Sequence, residues 1–303
     1  MSKIAFLFSG QGAQQVGMGR QAYDSSSSVR ELFDRANRLL GYDLATLCFE
    51  GPSEKLDSTV YSQPALYVCG LAGVQILREQ SPQTVESCQL TAGLSLGEYT
   101  AIGFAGAMDF QTGLTVVEQR GLAMQAASDA APSGMVSIIG MEADQLHELI
   151  AETRKPDEIL QVANYLCPGT LVVSGSKEAC ARLGDAAVAA GAMKAVSLAV
   201  SGAFHTPYMQ PAVEQLEDAI RKADLSVPRI PVVLNVDGEL HEDPEEIREL
   251  LIQQIVSPVL WEKSLRHMID AGCDRFFEVG PGRVLRGLLK RISRKMPCEG
   301  VTV

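Results

Sequence analysis

The chain is short of positive charge, of histidine and of long apolar runs. Its 26 Lys and Arg stand against 37 Asp and Glu, a formal net charge of −11. That deficit argues against a general nucleic-acid or anionic-membrane binder, which needs a surplus of cations. The seven cysteines (Cys48, Cys69, Cys88, Cys167, Cys180, Cys273, Cys298) form no C-x-x-C pair, and none neighbours a histidine. Neither a zinc site nor a disulfide framework is indicated, and scattered free thiols suit the cytosol. No run approaches the roughly 18 apolar residues of a membrane-spanning helix. The N-terminal apolar stretch, residues 3–8, lacks a small-residue cleavage site and reads as a first strand rather than a signal peptide. Internal repeats and low-complexity tracts are also missing. What remains is a chain of 303 residues, 46% hydrophobic. That is enough for one large α/β domain, or for a core carrying a smaller insert.

The stretch that organises it is Gly93-Leu94-Ser95-Leu96-Gly97. The pattern is G-x-S-x-G, with a short apolar segment before it (89–92) and a helix-compatible one after it (98–105). A Ser on a sharp strand-to-helix turn would stand proud of a sheet. The following helix N-terminus would favour developing negative charge. The two glycines suit a turn with no room for a Cβ. The competing explanation is a chance match in a chain with 27 glycines.

Taken in order, residues 3–8 form a strand that opens into the glycine loop Ser9-Gly10-Gln11-Gly12-Ala13-Gln14, at the ligand edge of an α/β sheet. The loop lacks the Lys-Ser/Thr of a P-loop and the spacing of a dinucleotide fingerprint, so nucleotide binding is rejected. A polar Ser25–Ser28 segment caps a helix over 29–40, and a strongly apolar helix covers 62–79. The helix over 110–128 places Arg120 near its apolar stripe. A cation there needs an anion, either a ligand or the partner of a structural ion pair. After a linker at 127–133 the pattern becomes β-α-β-β-α-β over 135–200, a split βαβ unit inserted into the larger domain. Of four histidines, His147, His241 and His267 sit on polar faces. His205 lies in a small-residue loop before the helix 208–223, where a base could face a cleft or simply be structural. Strands over 232–236 and 275–279 and a helix over 244–255 follow; the 275–279 segment reads as the last strand. The final helix has an apolar stripe of Val284, Leu285, Leu288, Leu289 and Ile292. Its other faces carry Arg283, Arg286, Lys290, Arg291, Arg294 and Lys295.

Several separated stretches together resemble one family. They are Phe-Ser-Gly-Gln-Gly-Ala-Gln at 8–14, Gln63-Pro64-Ala65-Leu66, Gly-Leu-Ser-Leu-Gly-Glu-Tyr at 93–99, and Gln119-Arg120-Gly121 with Met124-Gln125. Gly202-Ala203-Phe204-His205, Ser257-Pro258-Val259 with Trp261, and Glu278-Val279-Gly280-Pro281-Gly282 complete the set. Over its whole length the chain is similar to malonyl-CoA:acyl-carrier-protein transacylases and to the acyltransferase domains of polyketide synthases. The resemblance implies an α/β-hydrolase-like core (1–128 and 200–303) with a ferredoxin-like insert (129–199). It implies Ser95 as nucleophile and His205 as general base. Gln11 and Leu96 would supply the backbone N–H groups of an oxyanion hole, and Arg120 would clamp the malonyl carboxylate. Met124, Phe204 and Asn164 would border the acyl group. Gln254, with Gln253 as rival, would orient His205 through its carbonyl. The donor would be malonyl-CoA and the acceptor the phosphopantetheine thiol of an acyl carrier protein, with no resident cofactor or metal. A cytoplasmic monomer is expected. The family usually has His at the position of Leu94, and an Asn-Ser-Pro-Gly-Gln-like run where residues 164–170 stand. Both departures bear on the acyl range. The other readings are a serine hydrolase with the same elbow, an acyltransferase serving a polyketide assembly line, and a non-catalytic carrier-protein scaffold.

Overall fold

The computed structural model describes residues 2–301 and 303. Its ten strands are β1 (Ile4–Phe8), β2 (Cys88–Gly93), β3 (Ser133–Ile139), β4 (Leu160–Cys167), β5 (Thr170–Ser176), β6 (Lys194–Ser197), β7 (Val232–Val233), β8 (Leu240–His241), β9 (Arg275–Val279) and β10 (Cys298–Val301). They form two sheets. The larger has the order β10-β9-β1-β2-β7-β8 and is parallel apart from the β7–β8 hairpin pairing.

The central strand β1 is buried at every residue. Successive side chains leave opposite faces. Ile4, Phe6 and Phe8 enter one apolar cluster, and Ala5 and Leu7 another on the far side. A parallel sheet covered on both faces needs such a continuous apolar run. The helix Thr59–Gln80 lies in the first cluster and is apolar nearly all round, as a fully enclosed helix must be. It reaches the length and hydropathy of a membrane span, contrary to the sequence reading, but 78% of that window is buried inside the protein. The helix Ser27–Leu40 is capped by Ser26, whose hydroxyl accepts from the Val29 N–H at 3.2 Å.

The smaller sheet has the order β4-β5-β3-β6, antiparallel throughout. With the helices Ala143–Thr153 and Lys177–Ala189 it encloses a core of its own, including Ile138, Leu146, Val162 and Leu183. This is the α/β-hydrolase-like architecture with a ferredoxin-like insert that the resemblance implies. The chain passes between the sheets at 131–132, because the helix Phe110–Ala130 runs further than the supposed linker allows.

Three local expectations are corrected. The last strand is β10, which pairs in parallel with β9; Cys-Glu-Gly-Val carries too little apolar periodicity to announce itself. The strand expected over 232–236 is regular only at Val232–Val233, after which Leu234 and Asn235 continue as buried loop. Val284 leaves the apolar stripe of the final helix and is 50% exposed at the helix's first position.

Candidate active site

The polypeptide leaves β2 at Gly93 and enters the helix Leu96–Ala105 through Ser95, whose backbone stands at φ 51° and ψ −100°. A non-glycine residue held there costs on the order of 1–3 kcal/mol and persists only when its surroundings fix it. The turn is also crowded. A Cβ on Gly93 would lie 1.9 Å from the Gly97 carbonyl carbon, and one on Gly97 would lie 2.1 Å from the Phe8 oxygen. Strand and helix therefore cross at backbone contact, which only glycine at both places permits.

Ser95 Oγ lies 2.9 Å from His205 Nε2. His205 is held at φ 60° by its loop. Around it the Phe204 carbonyl accepts from Ser174 Oγ at 2.9 Å, and the Ala203 N–H donates to Ser133 Oγ at 3.1 Å. Strands of the smaller sheet thus fix the loop. On the far side of the ring, Nδ1 donates to the Gln254 carbonyl at 2.8 Å. A carbonyl can only accept, so Nδ1 carries the proton and Nε2 offers a lone pair to the serine hydroxyl. Gln254 is buried and Gln253 exposed, which separates the two rivals by helix phase. Burial first, and the Arg120 charge second, push the imidazole down to about 4; the Gln254 carbonyl acts the other way. The ring is neutral at physiological pH and has no carboxylate behind it.

Arg120 is 1% exposed. Its Nη1 donates to Gln63 Oε1 at 2.8 Å, and its Nη2 donates to Gln254 Oε1 at 2.8 Å and to Ser95 Oγ at 3.0 Å. The guanidinium stacks over Tyr99 at 5.2 Å. Among the described residues no carboxylate reaches it at ion-pair distance. The structural ion pair that the sequence left open is not formed. A buried cation with only neutral oxygen partners is costly unless an anion arrives.

The cleft above Ser95 holds about 240 Å³ and lies between the two sheets. Gln11, Leu94, Met124 and Val284 line it from the core, and Asn164, Leu166 and Leu198 from the insert side, with His205 and Phe204 at the junction. Its walls are mostly apolar, as expected of a small-molecule site. Gln11 lines the cleft, and its side chain rather than its backbone N–H makes a protein contact, donating to Thr59 Oγ1 at 3.3 Å. That N–H and that of Leu96, the first helical residue, meet no protein acceptor among the described residues. Met124 is buried with its sulfur 3.5 Å from Gln63 Nε2. A larger hollow of about 400 Å³, between Tyr67, Arg78 and Arg229, lies away from Ser95 and holds no nucleophile–base pair.

The other histidines are engaged elsewhere: His147 with the Tyr165 hydroxyl, His241 with Asp237 and Glu246, His267 with Glu239. No metal-binding cluster occurs among the described residues. The basic face of the last helix is smaller than its sequence suggests. Arg286 pairs with buried Glu278 at 3.1 Å, and Arg291 is turned onto Thr170 and the Pro168 carbonyl. Arg283, Lys290, Arg294 and Lys295 stay exposed. Sequence reasoning missed Glu98, Asn235 and the side chains of Gln63 and Gln254. Gln63 and Glu98 stood inside the recognised stretches without a role; Asn235 gave no signal.

The acyl transferase domain family matches residues 5–301. The malonyl CoA-acyl carrier protein transacylase of Bacillus subtilis is 38% identical over 302 residues, spanning 100% of this chain and 94% of that protein. Among solved structures, the malonyl CoA-acyl carrier protein transacylase from Coxiella burnetii superposes with a TM-score of 0.95 at 35% identity, covering 99% of this chain and 94% of that one. A malonyl-transacylase in complex with its type II PKS acyl-carrier protein superposes at 0.93 and 36% identity, covering 99% and 95%. With a serine on a strained elbow, a neutral imidazole in reach and similarity along its whole length, the chain belongs to the acyl transferase family, among the malonyl-CoA–acyl carrier protein transacylases.

Proposed function

We propose that the chain moves a malonyl group from malonyl-CoA to the phosphopantetheine thiol of an acyl carrier protein, through an ester on Ser95. The observation that carries this reading is Arg120, a buried cation without an acid partner whose Nη2 lies 3.0 Å from Ser95 Oγ. A guanidinium fork matches a carboxylate in two parallel hydrogen bonds. A lipase or simple esterase has no use for a cation beside its nucleophile.

His205 Nε2 takes the Ser95 proton as Oγ attacks the thioester carbonyl. The tetrahedral oxyanion is received by the N–H groups of Gln11 and Leu96, worth about 3–4 kcal/mol each where such donors have been removed. The C–S bond then breaks, the imidazolium returns the proton to the departing CoA sulfur, and the malonyl ester remains. The carrier thiol repeats the sequence in reverse. The Gln254 carbonyl holds the ring in the required tautomer, so no acidic third member is needed. Met124, Phe204 and Asn164 border the acyl group, and Leu94 keeps that wall apolar. No resident cofactor or metal takes part. Residues 1–128 and 200–303 serve as the catalytic core and 129–199 as the insert that closes the cleft. A monomer working in the cytoplasm fits the free thiols and the acidic surface.

Intact-mass spectrometry after mixing with malonyl-CoA, acetyl-CoA and methylmalonyl-CoA in turn tests this. A malonyl adduct, discharged by carrier thiol faster than by water, is the expected result. Discharge to water alone would instead make the chain a hydrolase. Which pathway's carrier is served is decided by comparing carriers of fatty-acid and polyketide type in the same assay.

A further inference from the structure

The parallel ladder between β2 and β7 ends at Ala92 and Val233, three positions before the nucleophile on one strand and two before Asn235 on the other. Beyond that point a side chain continues the pairing. Asn235 Oδ1 accepts the Ser95 N–H at 2.7 Å, and Asn235 Nδ2 donates to the Gly93 carbonyl at 2.8 Å. A flipped amide would set NH₂ against N–H and oxygen against oxygen, so the chemistry fixes its orientation. The backbone of Asn235 is equally committed. Its N–H donates to Glu98 Oε2 at 2.8 Å, and its carbonyl accepts from the Leu260 N–H at 2.8 Å. The residue is fully buried. It forms no hydrogen bond with His205 or Arg120 and does not line the cleft.

We propose that Asn235 is a positioning residue for acyl transfer, its amide acting as the missing strand partner that holds Ser95 in its positive-φ conformation. This rests on the reading of Ser95 as nucleophile. Two consequences follow for the chemistry. The Ser95 N–H is consumed by Oδ1 and so is unavailable to the oxyanion, which leaves Gln11 and Leu96 as donors. The Ser95 Oγ stays 2.9 Å from Nε2 because the peptide to which it is attached cannot relax toward an ordinary helical or extended form. Glu98 anchors the anchor: it is completely buried on the first turn of the same helix and grips the Asn235 backbone. A misplacement of about 1 Å between nucleophile and base is enough to cost about 10²-fold in rate.

The test is single-turnover acylation of Ser95 by malonyl-CoA, read by intact mass, in Asn235→Ala and Asn235→Asp. Asn235→Ala should lower the acylation rate at saturating malonyl-CoA by about 10²-fold. Its half-saturating concentration should shift by less than about threefold, since Arg120 and the cleft are untouched. Asn235→Asp supplies a signature that a merely structural role does not. A protonated carboxyl offers one donor and one acceptor in the amide's places, whereas a carboxylate faces the Gly93 oxygen with no donor. Its acylation should approach the native rate at low pH and fall to the alanine level as the carboxyl ionises, an ionisation that burial moves upward. A folded Asn235→Ala that acylates at the native rate, or an Asn235→Asp whose pH profile overlays the native one, overturns the proposal. If the alanine variant does not fold, the aspartate profile decides alone. Absence of an adduct on the native chain is a different failure, that of the Ser95 reading itself.

Discussion

Replacing Arg120 by alanine separates its two effects, on the substrate and on the base. The first is direct. A carboxylate held by two charge-assisted hydrogen bonds gains about 1.5–3 kcal/mol from each. Losing both should reduce malonyl transfer by roughly 10²–10⁴-fold at about 1.4 kcal/mol per decade, while acetyl transfer, which never used the fork, is largely spared. The second effect runs through Ser95 Oγ, which lies 3.0 Å from Arg120 Nη2 and 2.9 Å from His205 Nε2. Two unit charges about 6 Å apart at an effective dielectric of about 20 repel by about 3 kcal/mol, or about two pH units. Burial is the larger cause of the depression of His205 to about 4, and it persists in the variant. The imidazole should therefore rise by one to two units and stop below its ordinary 6.5. Only the neutral ring accepts the serine proton, so the rate falls as pH drops through this value. Single-turnover acetylation of Ser95 between pH 4 and 8 reads the limb directly. In the native chain it should stay flat to about pH 5; in Arg120→Ala it should begin to fall near pH 6. A limb that does not move, or equal losses for malonyl and acetyl, refutes the assignment of Arg120 as an uncompensated cation beside the base.

Ser95→Ala should form no adduct with any acyl-CoA while keeping its thermal unfolding within about 1 kcal/mol of native, as expected of a substitution away from the packed core; an undiminished malonyl adduct would remove the nucleophile assignment. Glu98 is fully buried and pushed up from 4.5 to about 8, mainly by burial. The folded chain thus keeps a proton that the unfolded chain loses above 4.5, so stability falls as pH rises through that window, by about 5 kcal/mol at 1.36 kcal/mol per unit. Glu98→Gln should remove the fall in stability between pH 6.5 and 8, where His205 adds only a small rise, about 0.4 kcal/mol, as its unfolded form loses the rest of its proton; urea titrations at both pH values check it, and a persisting fall rejects it. For carrier docking, Lys290→Glu with Arg294→Glu should raise the apparent KM for carrier protein at low salt and leave acylation by malonyl-CoA unchanged, the defect shrinking as salt screens the encounter. Arg286 is unsuitable for that test because it braces Glu278. An unchanged carrier KM at low ionic strength in a two-substrate rate assay would move the search to Lys177, Arg182 and Lys194.

What the sequence by itself determined is everything governed by neighbours along the chain. The elbow was legible because two glycines, a serine, a strand and a helix must follow one another within about a dozen residues. The strand over residues 3–8 and the β-α-β-β-α-β order of the insert were legible because backbone periodicity is local. So was a serine cap within residues 25–28, which the structure places at Ser26. The resemblance then named Ser95, His205, Gln11, Leu96, Arg120 and Gln254, but it named them as isolated positions. The tertiary structure decided what each one touches. Arg120 meets neutral oxygens rather than an acid because Gln63 and Gln254 reach it from 57 and 134 residues away. Gln254 rather than Gln253 faces His205 because the phase of one helix against a distant loop selects it. Arg286 and Arg291 are drawn from the basic ridge by Glu278 and by the insert, partners that charge counting along a helix cannot see. Asn235, 140 residues from the serine it holds, was illegible for the same reason. A hydrogen bond across the end of a sheet depends on which strands lie side by side, and that order is fixed only when the apolar faces of the whole chain have packed.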